Sequence, residues 1–492
     1  MLTRRAFIGG SLATLAACRK GPVIATNRPR ITHGVQSGDV SRRAVIWARC
    51  SEPARMLVEW RTSSRAAWQR GSPGNVVTPD SDLAGRVALL GLPSGQTIEY
   101  RVAFEREAAR GISEWVSGRF AMPHPTKFRV VWTGDTCGQG FGRNPDWGGL
   151  RGYAAMRAKE PALFIHSGDM MYADNPILPE VKLPDGRVWR NVSNERVARV
   201  AEELADFRAR FAYNLEDEHV RKFAAEVPVI ASWDDHETRN NWWPGQQLED
   251  PRYQRERDAS KLAALARRAL DEWNPLSAPS YRVIRYGPLL DVMVLDARTF
   301  RTANDRNDGD PRAMLGETQA RWLVEALATS EARWKIVACD QPLALVIPDD
   351  DRHEGFANAV PGEPRGREIE LANLLIALRE RRVRNTVWLT ADVHYAAAHR
   401  FDPTRSSVRF DPFWEFVAGP IHAGTFGPNE LDPTLGPVLE FQWAPPAGTG
   451  NLAPWDGLQS FGTIDVTRDA LSVALWGIEG RERYRVELPW TP

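Results

Sequence analysis

The run Trp233-Asp234-Asp235-His236-Glu237, followed by Asn240 and Asn241, gathers carboxylates, an imidazole and two amides within nine residues. It directly follows Pro228-Val229-Ile230-Ala231-Ser232, a short apolar run bounded by a proline, which reads as a buried strand. These polar groups therefore occupy a strand end, where open α/β sheets bind ligands. Three further segments share the pattern. Phe128 to Trp132 runs into Gly134-Asp135, Ala162 to His166 into Gly168-Asp169 with Tyr172 beyond, and Thr386 to Thr390 into Asp392 and His394. A solvated acidic turn accounts for one such segment but poorly for four. Carboxylate, imidazole and phenolate are ligands for metals such as iron, manganese, zinc and calcium. A carboxylate can bridge two ions, so the set predicts a two-metal site rather than one closed structural site. Paired cations about 3.5–4 Å apart acidify a bridging water and hold phosphoryl oxygens.

These ligands need strands to hold them. Runs at 128–132, 162–166, 228–232, 289–295, 334–338 and 386–390 read as strands. They alternate with helical spacing over 195–210, 259–273, 317–327 and 368–379, which predicts a layered α/β domain. Segments 462–466 and 471–476 read as a hairpin closing the second sheet. Upstream, residues 29–122 carry short alternating runs such as Met56 to Trp60 and Ile98 to Val102, with a turn at Pro93-Ser94-Gly95. That spacing predicts a small all-β sandwich of immunoglobulin or fibronectin type, without clustered metal ligands. Pro123-His124-Pro125 reads as the linker to a second domain over 123–492. The long segment from Asp174 to Ser193 follows Tyr172 directly and is expected to overhang the site.

Residues 1–28 read as targeting sequence and linker. Thr3-Arg4-Arg5-Ala6-Phe7-Ile8 resembles a twin-arginine export signal, and Leu15-Ala16-Ala17-Cys18 resembles a lipobox with Cys18 as the acylated residue. The expectation is a protein exported by the twin-arginine machinery to the periplasm or cell surface, touching membrane only through a lipid anchor. Lysine plus arginine and aspartate plus glutamate balance at 63 each, so charge gives no case for nucleic-acid binding. Cys50, Cys137 and Cys339 remain after Cys18, too few and too widely spaced for a disulfide framework.

The ordered motifs Gly134-Asp135, Gly168-Asp169-x-x-Tyr172, Trp233-Asp234-Asp235-His236-Glu237 with its asparagines, Leu295-Asp296-Ala297-Arg298, and Asp392-Val393-His394 resemble the PhoD-like metallophosphatases (alkaline phosphatase D), within the calcineurin-like and purple-acid-phosphatase-like superfamily. Leu315-Gly316 with Gln319 and Trp322-Leu323 extends the likeness, which spans roughly residues 31 to 480. The resemblance implies two packed sheets flanked by helices and hydrolysis of small phosphate esters. It implies Fe3+ and Ca2+ as cofactors, with Zn2+ or Mn2+ compatible with the donors. The first motif departs from the better-known pattern, which places a cysteine on the metal. Here Asp135 ends the strand and Cys137 lies two residues later. Strand register favours Asp135.

Carried onto this chain, the resemblance makes Asp169 the bridging carboxylate. Asp135 and Tyr172 complete one metal with Asp392 or His394, and Asp235 binds the second. His236 gives a proton or hydrogen bond to the leaving oxygen. Asn240 or Asn241 ligates or orients, or is a turn amide. Arg298 clamps phosphate or pairs with Asp296. His166 reads as a packed strand histidine, His353 as part of an acidic surface loop, and His422 as lying on a segment at the pocket edge. Two other readings remain open: a diesterase or phospholipase on the same site, and a non-catalytic surface lipoprotein that binds a partner through its β-sandwich.

Overall fold

The structure, a computed structural model, describes residues 28–106, 111–276 and 279–492; the expected export segment and Cys18 lie outside them. Two large sheets face each other. The first has nine strands in the spatial order Glu482–Pro489, Ala470–Gly477, Ser460–Thr467, Lys127–Thr133, Leu163–Ser167, Val229–Ser232, Ile31–Gly38, Arg43–Cys50 and Ala84–Leu90. The second has seven, in the order Arg282–Tyr286, Leu290–Val294, Trp334–Ala338, Thr386–Thr390, Phe413–Val417, Ala396–Phe401 and Pro437–Trp443. The central strands of each sheet pair in parallel. Covered on both faces, they are apolar runs rather than alternating ones.

Successive side chains point to opposite faces, and this builds the layers. Val130, Trp132, Leu163, Ile165 and Ile230 of the first sheet pack with Leu290, Val292, Ile336 and Leu389 of the second. Their neighbours Val131, Phe164 and Ala231 turn outward into a cluster with the helices Arg151–Arg157, Leu204–Leu215, Glu218–Glu226 and Ala259–Trp273. Met293, Val337 and Trp388 do the same beneath Gly316–Ala328 and Glu368–Glu380. The result is a helix–sheet–sheet–helix stack. Ala259–Trp273 shows why such helices form. Asp258 caps it by accepting from Ser260 N at 2.9 Å, and Leu262, Ala266, Ala269, Leu270 and Trp273 line one buried face.

Two sequence expectations need correction. The stretch over 195–210 is helical only from Leu204, because Glu203 and Asp206 form a reciprocal capping box that starts the helix there. The hairpin at 460–477 belongs to the first sheet, where Ser460–Thr467 pairs antiparallel with Lys127–Thr133. Gly462 makes that pairing possible, since a Cβ there would come within 2.0 Å of the Trp132 ring. The helices Arg151–Arg157 and Glu218–Glu226, short at 7 and 9 residues, were not legible from periodicity.

The strands from Ile31 to Ala121 are all β, but they do not stand apart. One layer joins the first sheet through Gly38 and Val229. The other is a five-stranded sheet around Ala54–Arg61 and Thr97–Glu105. Its Met56, Ile98 and Phe120 share a continuous core with Val130 and Ile230. Among the described residues, no helix is long and apolar enough to cross a membrane.

Candidate metal centre

Parallel strands of both sheets deliver their carboxyl ends to one crevice. Asp135, Asp169 and Asp235 follow Lys127–Thr133, Leu163–Ser167 and Val229–Ser232; Asp296, Asp340 and Asp392 follow Leu290–Val294, Trp334–Ala338 and Thr386–Thr390. The backbone leaves several of these strands in the left-handed region, with φ of 66° at Asp135, 53° at Asp169, 68° at Asp392 and 63° at His394. Such conformations cost about 1–3 kcal/mol each in residues with a Cβ and gather at functional sites. Gly168 (φ +88°) lets the chain pass closely, since a Cβ there would lie 2.4 Å from Asp234 Cβ.

Ligand atoms of Asp135, Asp169 and His394 lie within 4.8 Å of one another, as do those of Asp169, Asp235 and His236. Asp169 belongs to both groups. Tyr172 Oη stands 3.0 Å from His394 Nε2 and 3.4 Å from Asp135 Oδ1, and its ring lies over that of His236 at 4.3 Å. Asp392 is placed with Asp234 and Asp235, not with Asp135. Cys137 is buried in an apolar cluster with Leu150, Tyr153 and Met156 and belongs to none of these groups.

The electrostatics follow from burial. Burial pushes the Asp135 carboxyl up to about 8 against the opposing pull of His236, and raises Asp169 well above its ordinary value. Burial also acts to raise Asp235, but His236 and Arg298 outweigh it and hold it below the usual carboxylate range. Burial takes His394 down to about 4, which leaves a neutral imidazole, the form that ligates metals. Asp135 Oδ2 and Asp235 Oδ1 are buried with no hydrogen-bond partner, as are Asp234 Oδ2 and Asp340 Oδ2 beside Arg298. Buried polar atoms are otherwise nearly always satisfied, so this donor set fits metal cations, with Asp135, Asp169, Tyr172, Asp235 and His394 disposed to hold them.

His236 has a different setting. Burial works against its charged form, but Asp174, Asp235 and Asp169 outweigh that and raise it well above its ordinary value. Its Nδ1 lies 2.7 Å from Asp174 Oδ1, leaving Nε2 for a substrate. Asp174 Oδ2 accepts from Asn240 N at 3.0 Å, so the start of the 174–193 segment is tied to this loop. Asn240 is exposed. Asn241 is tied to the site through its N, which donates to Asp235 Oδ2 at 2.6 Å, and its Nδ2, which donates to Asp349 Oδ1 at 3.0 Å. Beside Asp349 lies a cavity of about 460 Å3 lined also by Arg239, Trp243 and Arg352. Another, of about 470 Å3, opens at the opposite ends of the second sheet's strands, around Trp334, Thr386 and Phe413, and touches none of these residues.

Arg298 departs from both of its expected roles. Its guanidinium has no exposed surface and contacts the carboxylates of Asp234, Asp340 and Glu354. Asp296 instead accepts the Arg298 backbone N–H at 3.1 Å. The acidic run at 349–354 is not simply a solvated loop either. Asp350 and Asp351 are exposed, but Glu354 is buried against Arg298 and Arg301. His353 is half-buried, with Nδ1 3.0 Å from Arg306 O. His166 is buried, 3.1 Å from Thr136 Oγ1, and His422 is buried, 3.0 Å from Gly142 O.

The family profile described as PhoD-like phosphatase matches residues 130–474, and that described as PhoD-like phosphatase, N-terminal domain, matches residues 17–122. The chain belongs to the PhoD-like phosphatases. It is 28% identical to the alkaline phosphatase D of Bacillus subtilis (strain 168) over 309 residues, 56% of this chain and 49% of that protein. The match thus spans about half the length of that relative. Two solved structures show the fold. One, titled "Structure of PhoD", superposes with a TM-score of 0.68 at 20% identity, covering 94% of this chain and 90% of that one. The purple acid phosphatase PPD1 from yellow lupin (Lupinus luteus) seeds gives 0.58 at 11% identity, covering 94% and 74%.

Within this PhoD-like fold, further residues to which sequence alone assigns no role hold the site together. Glu237 accepts from the backbone N–H of Asp169, Met170 and Asp234 at 3.3, 2.5 and 2.8 Å, tying two ligand loops together. Asp174 was signalled only by standing two residues beyond Tyr172. Asp340 follows the apolar strand Trp334–Ala338 and Cys339, the same strand-then-carboxylate pattern that marked the other motifs.

Proposed function

We propose that this protein is an exported metallophosphoesterase that hydrolyses small phosphate esters with a hydroxide activated by two or more metal ions. The observation that carries the reading is the place of Asp169, with Asp135 and His394 on one side and Asp235 on the other. Cations bound there would acidify a water to near-neutral pKa and neutralise phosphoryl charge. The chain's own residues supply the rest. Asp174 orients the His236 ring and keeps the imidazole charged, so that Nε2 can protonate the leaving alkoxide as the P–O bond breaks and the alcohol departs neutral. Asn241 N steadies Asp235, and Glu237 steadies the turns that carry Asp169 and Asp234. The cavity beside Asp349 gives the alcohol part of the ester a place to lie.

Ferric iron with calcium is the metal pair we favour, on the strength of the family and of the carboxylate- and phenolate-rich donor set; zinc and manganese suit the same donors. Twin-arginine export with acylation of Cys18 completes the proposal. The test joins metal content of the purified protein to hydrolysis of a chromogenic phosphomonoester and a phosphodiester. Activity that falls with chelation and returns with metal supports the reading, and the preferred ester separates monoesterase from diesterase. A metal-free protein inactive on both esters would favour a surface-binding lipoprotein. For the anchor, Cys18→Ser should give exported protein free of the membrane; wild-type protein that is soluble and carries no acyl mass would remove it.

A further inference from the structure

Asp234, Asp235 and Asp392 form a third carboxylate group whose ligand atoms lie within 4.8 Å of one another. It differs from the other two in what already lies among its oxygens. Arg298 Nε is 2.7 Å from Asp234 Oδ1, and Nη2 touches the same oxygen while lying 3.7 Å from Asp392 Oδ1 and 4.0 Å from Asp235 Oδ1. The opposite edge of the guanidinium meets Glu354, and Nε is also 3.4 Å from Asp340 Oδ2. Among the described residues, no lysine or arginine forms an ion pair with Asp135 or Asp169.

The guanidinium is also fixed in place. Asp296 Oδ1 accepts from Arg298 N at 3.1 Å, from Thr299 N at 2.9 Å and from Trp233 Nε1 at 3.0 Å, which locks the turn that carries Arg298. The side chain is wholly buried and arginine does not lose its proton in proteins. A cation bound by Asp234, Asp235 and Asp392 would therefore sit against a permanent positive charge that cannot titrate away or swing out.

We infer that Arg298 is the built-in cation of the Asp234–Asp235–Asp392 group, so that this group takes no metal and the protein binds its ions only on the two groups that share Asp169. Asp234 and Asp392 then act as positioning residues, Asp234 holding the guanidinium and Asp392 lining the crevice, and Arg298 supplies fixed charge beside the phosphoryl site without exchanging with solvent. The inference rests on the metallophosphoesterase reading above.

The test is metal stoichiometry, measured by equilibrium dialysis against Ca2+ and against Mn2+ followed by elemental analysis, with folding checked by circular dichroism. Asp392→Asn should bind as much metal at saturation as wild type, while Asp169→Asn should bind less. Arg298→Lys, which keeps a charge, should match wild type, whereas Arg298→Gln should gain about one equivalent of cation. If Arg298→Gln does not fold without metal, its recovery of native circular dichroism on adding Ca2+ reports the same exchange. Loss of an equivalent in Asp392→Asn, or a folded Arg298→Gln that binds no more than wild type, overturns the inference and leaves the enzyme reading intact. A wild-type protein that binds neither metal overturns both.

Discussion

At the ends of the first sheet, Asp135, Asp169 and Asp235 group with the imidazoles of His394 and His236; at the ends of the second, Asp340 and Asp392 lie beside the guanidinium of Arg298. The strand-end placement is the same, but the counter-group differs in one decisive property. An imidazole can be neutral and then serve as a ligand, as burial makes His394 by taking it down to about 4. A guanidinium remains charged. Asp135 and Asp169 beside the neutral His394 can therefore take a metal, while Asp234 and Asp392 beside arginine already have their cation; the charged His236 has a proton to give instead. The two settings meet at neighbouring residues: Asp234 is held by Arg298, and Asp235 belongs both to the Asp234–Asp392 group and to that of Asp169 and His236. The divide follows the counter-group and not the sheet, since His394 leaves the second sheet yet joins Asp135 and Asp169 of the first.

The largest effect is expected at Asp169. Asp169→Asn removes the negative charge and one of the two oxygens of the residue common to both imidazole-containing groups, and we expect bound metal to fall and turnover to drop to background, read by elemental analysis and ester hydrolysis. Asp235→Asn should lower both less completely, because the Asp135–Asp169–His394 group survives. A metal-replete, active Asp169→Asn protein would remove that residue from the site.

Next comes His236. If its task is to give a proton, His236→Ala should keep its metals and lose about 10²–10⁴-fold in rate, most with poor leaving groups. Asp174→Asn should follow with a smaller loss and the same dependence on leaving group. Metal loss in His236→Ala would instead make the imidazole a direct ligand. On the fixed-charge side the effect should be on stability. Arg298→Met leaves Asp234, Asp340 and Glu354 buried without their partner, and metal-free protein should lose about 3–5 kcal/mol in urea unfolding. An unchanged midpoint would show that those carboxylates are held neutral.

The smallest effect is expected at Cys137. Its side chain packs among Leu150, Tyr153 and Met156, so Cys137→Ala should cost about 1 kcal/mol of stability and keep its metal, whereas Asp135→Ala should lose metal. The reverse outcome would put sulfur in the site.

Why some of this could be read in advance is physical. Strands buried on both faces are apolar runs, so the carboxylates that interrupt them at Asp135, Asp169 and Asp392 stand out. The helices 259–273, 317–327 and 368–379 bury one stripe each and were legible for the same reason. What periodicity cannot carry is which distant segments meet. The placement of 460–467 beside 127–133 depends on Gly462 lying against Trp132, and the joining of Ile31–Gly38 to Val229–Ser232 is a contact between segments nearly 200 residues apart. Arg298 was singled out by its motif, but its role depends on Asp340 and Glu354, which no local spacing links to it.

The most direct measurement is anomalous diffraction from crystals of the protein loaded with Mn2+ or with iron and calcium. Density is expected beside Asp135, Asp169 and His394 and beside Asp169 and Asp235, with the Arg298 guanidinium still against Asp234. An ion among Asp234, Asp235 and Asp392 with the guanidinium displaced, or no ion touching Asp169, would contradict this expectation.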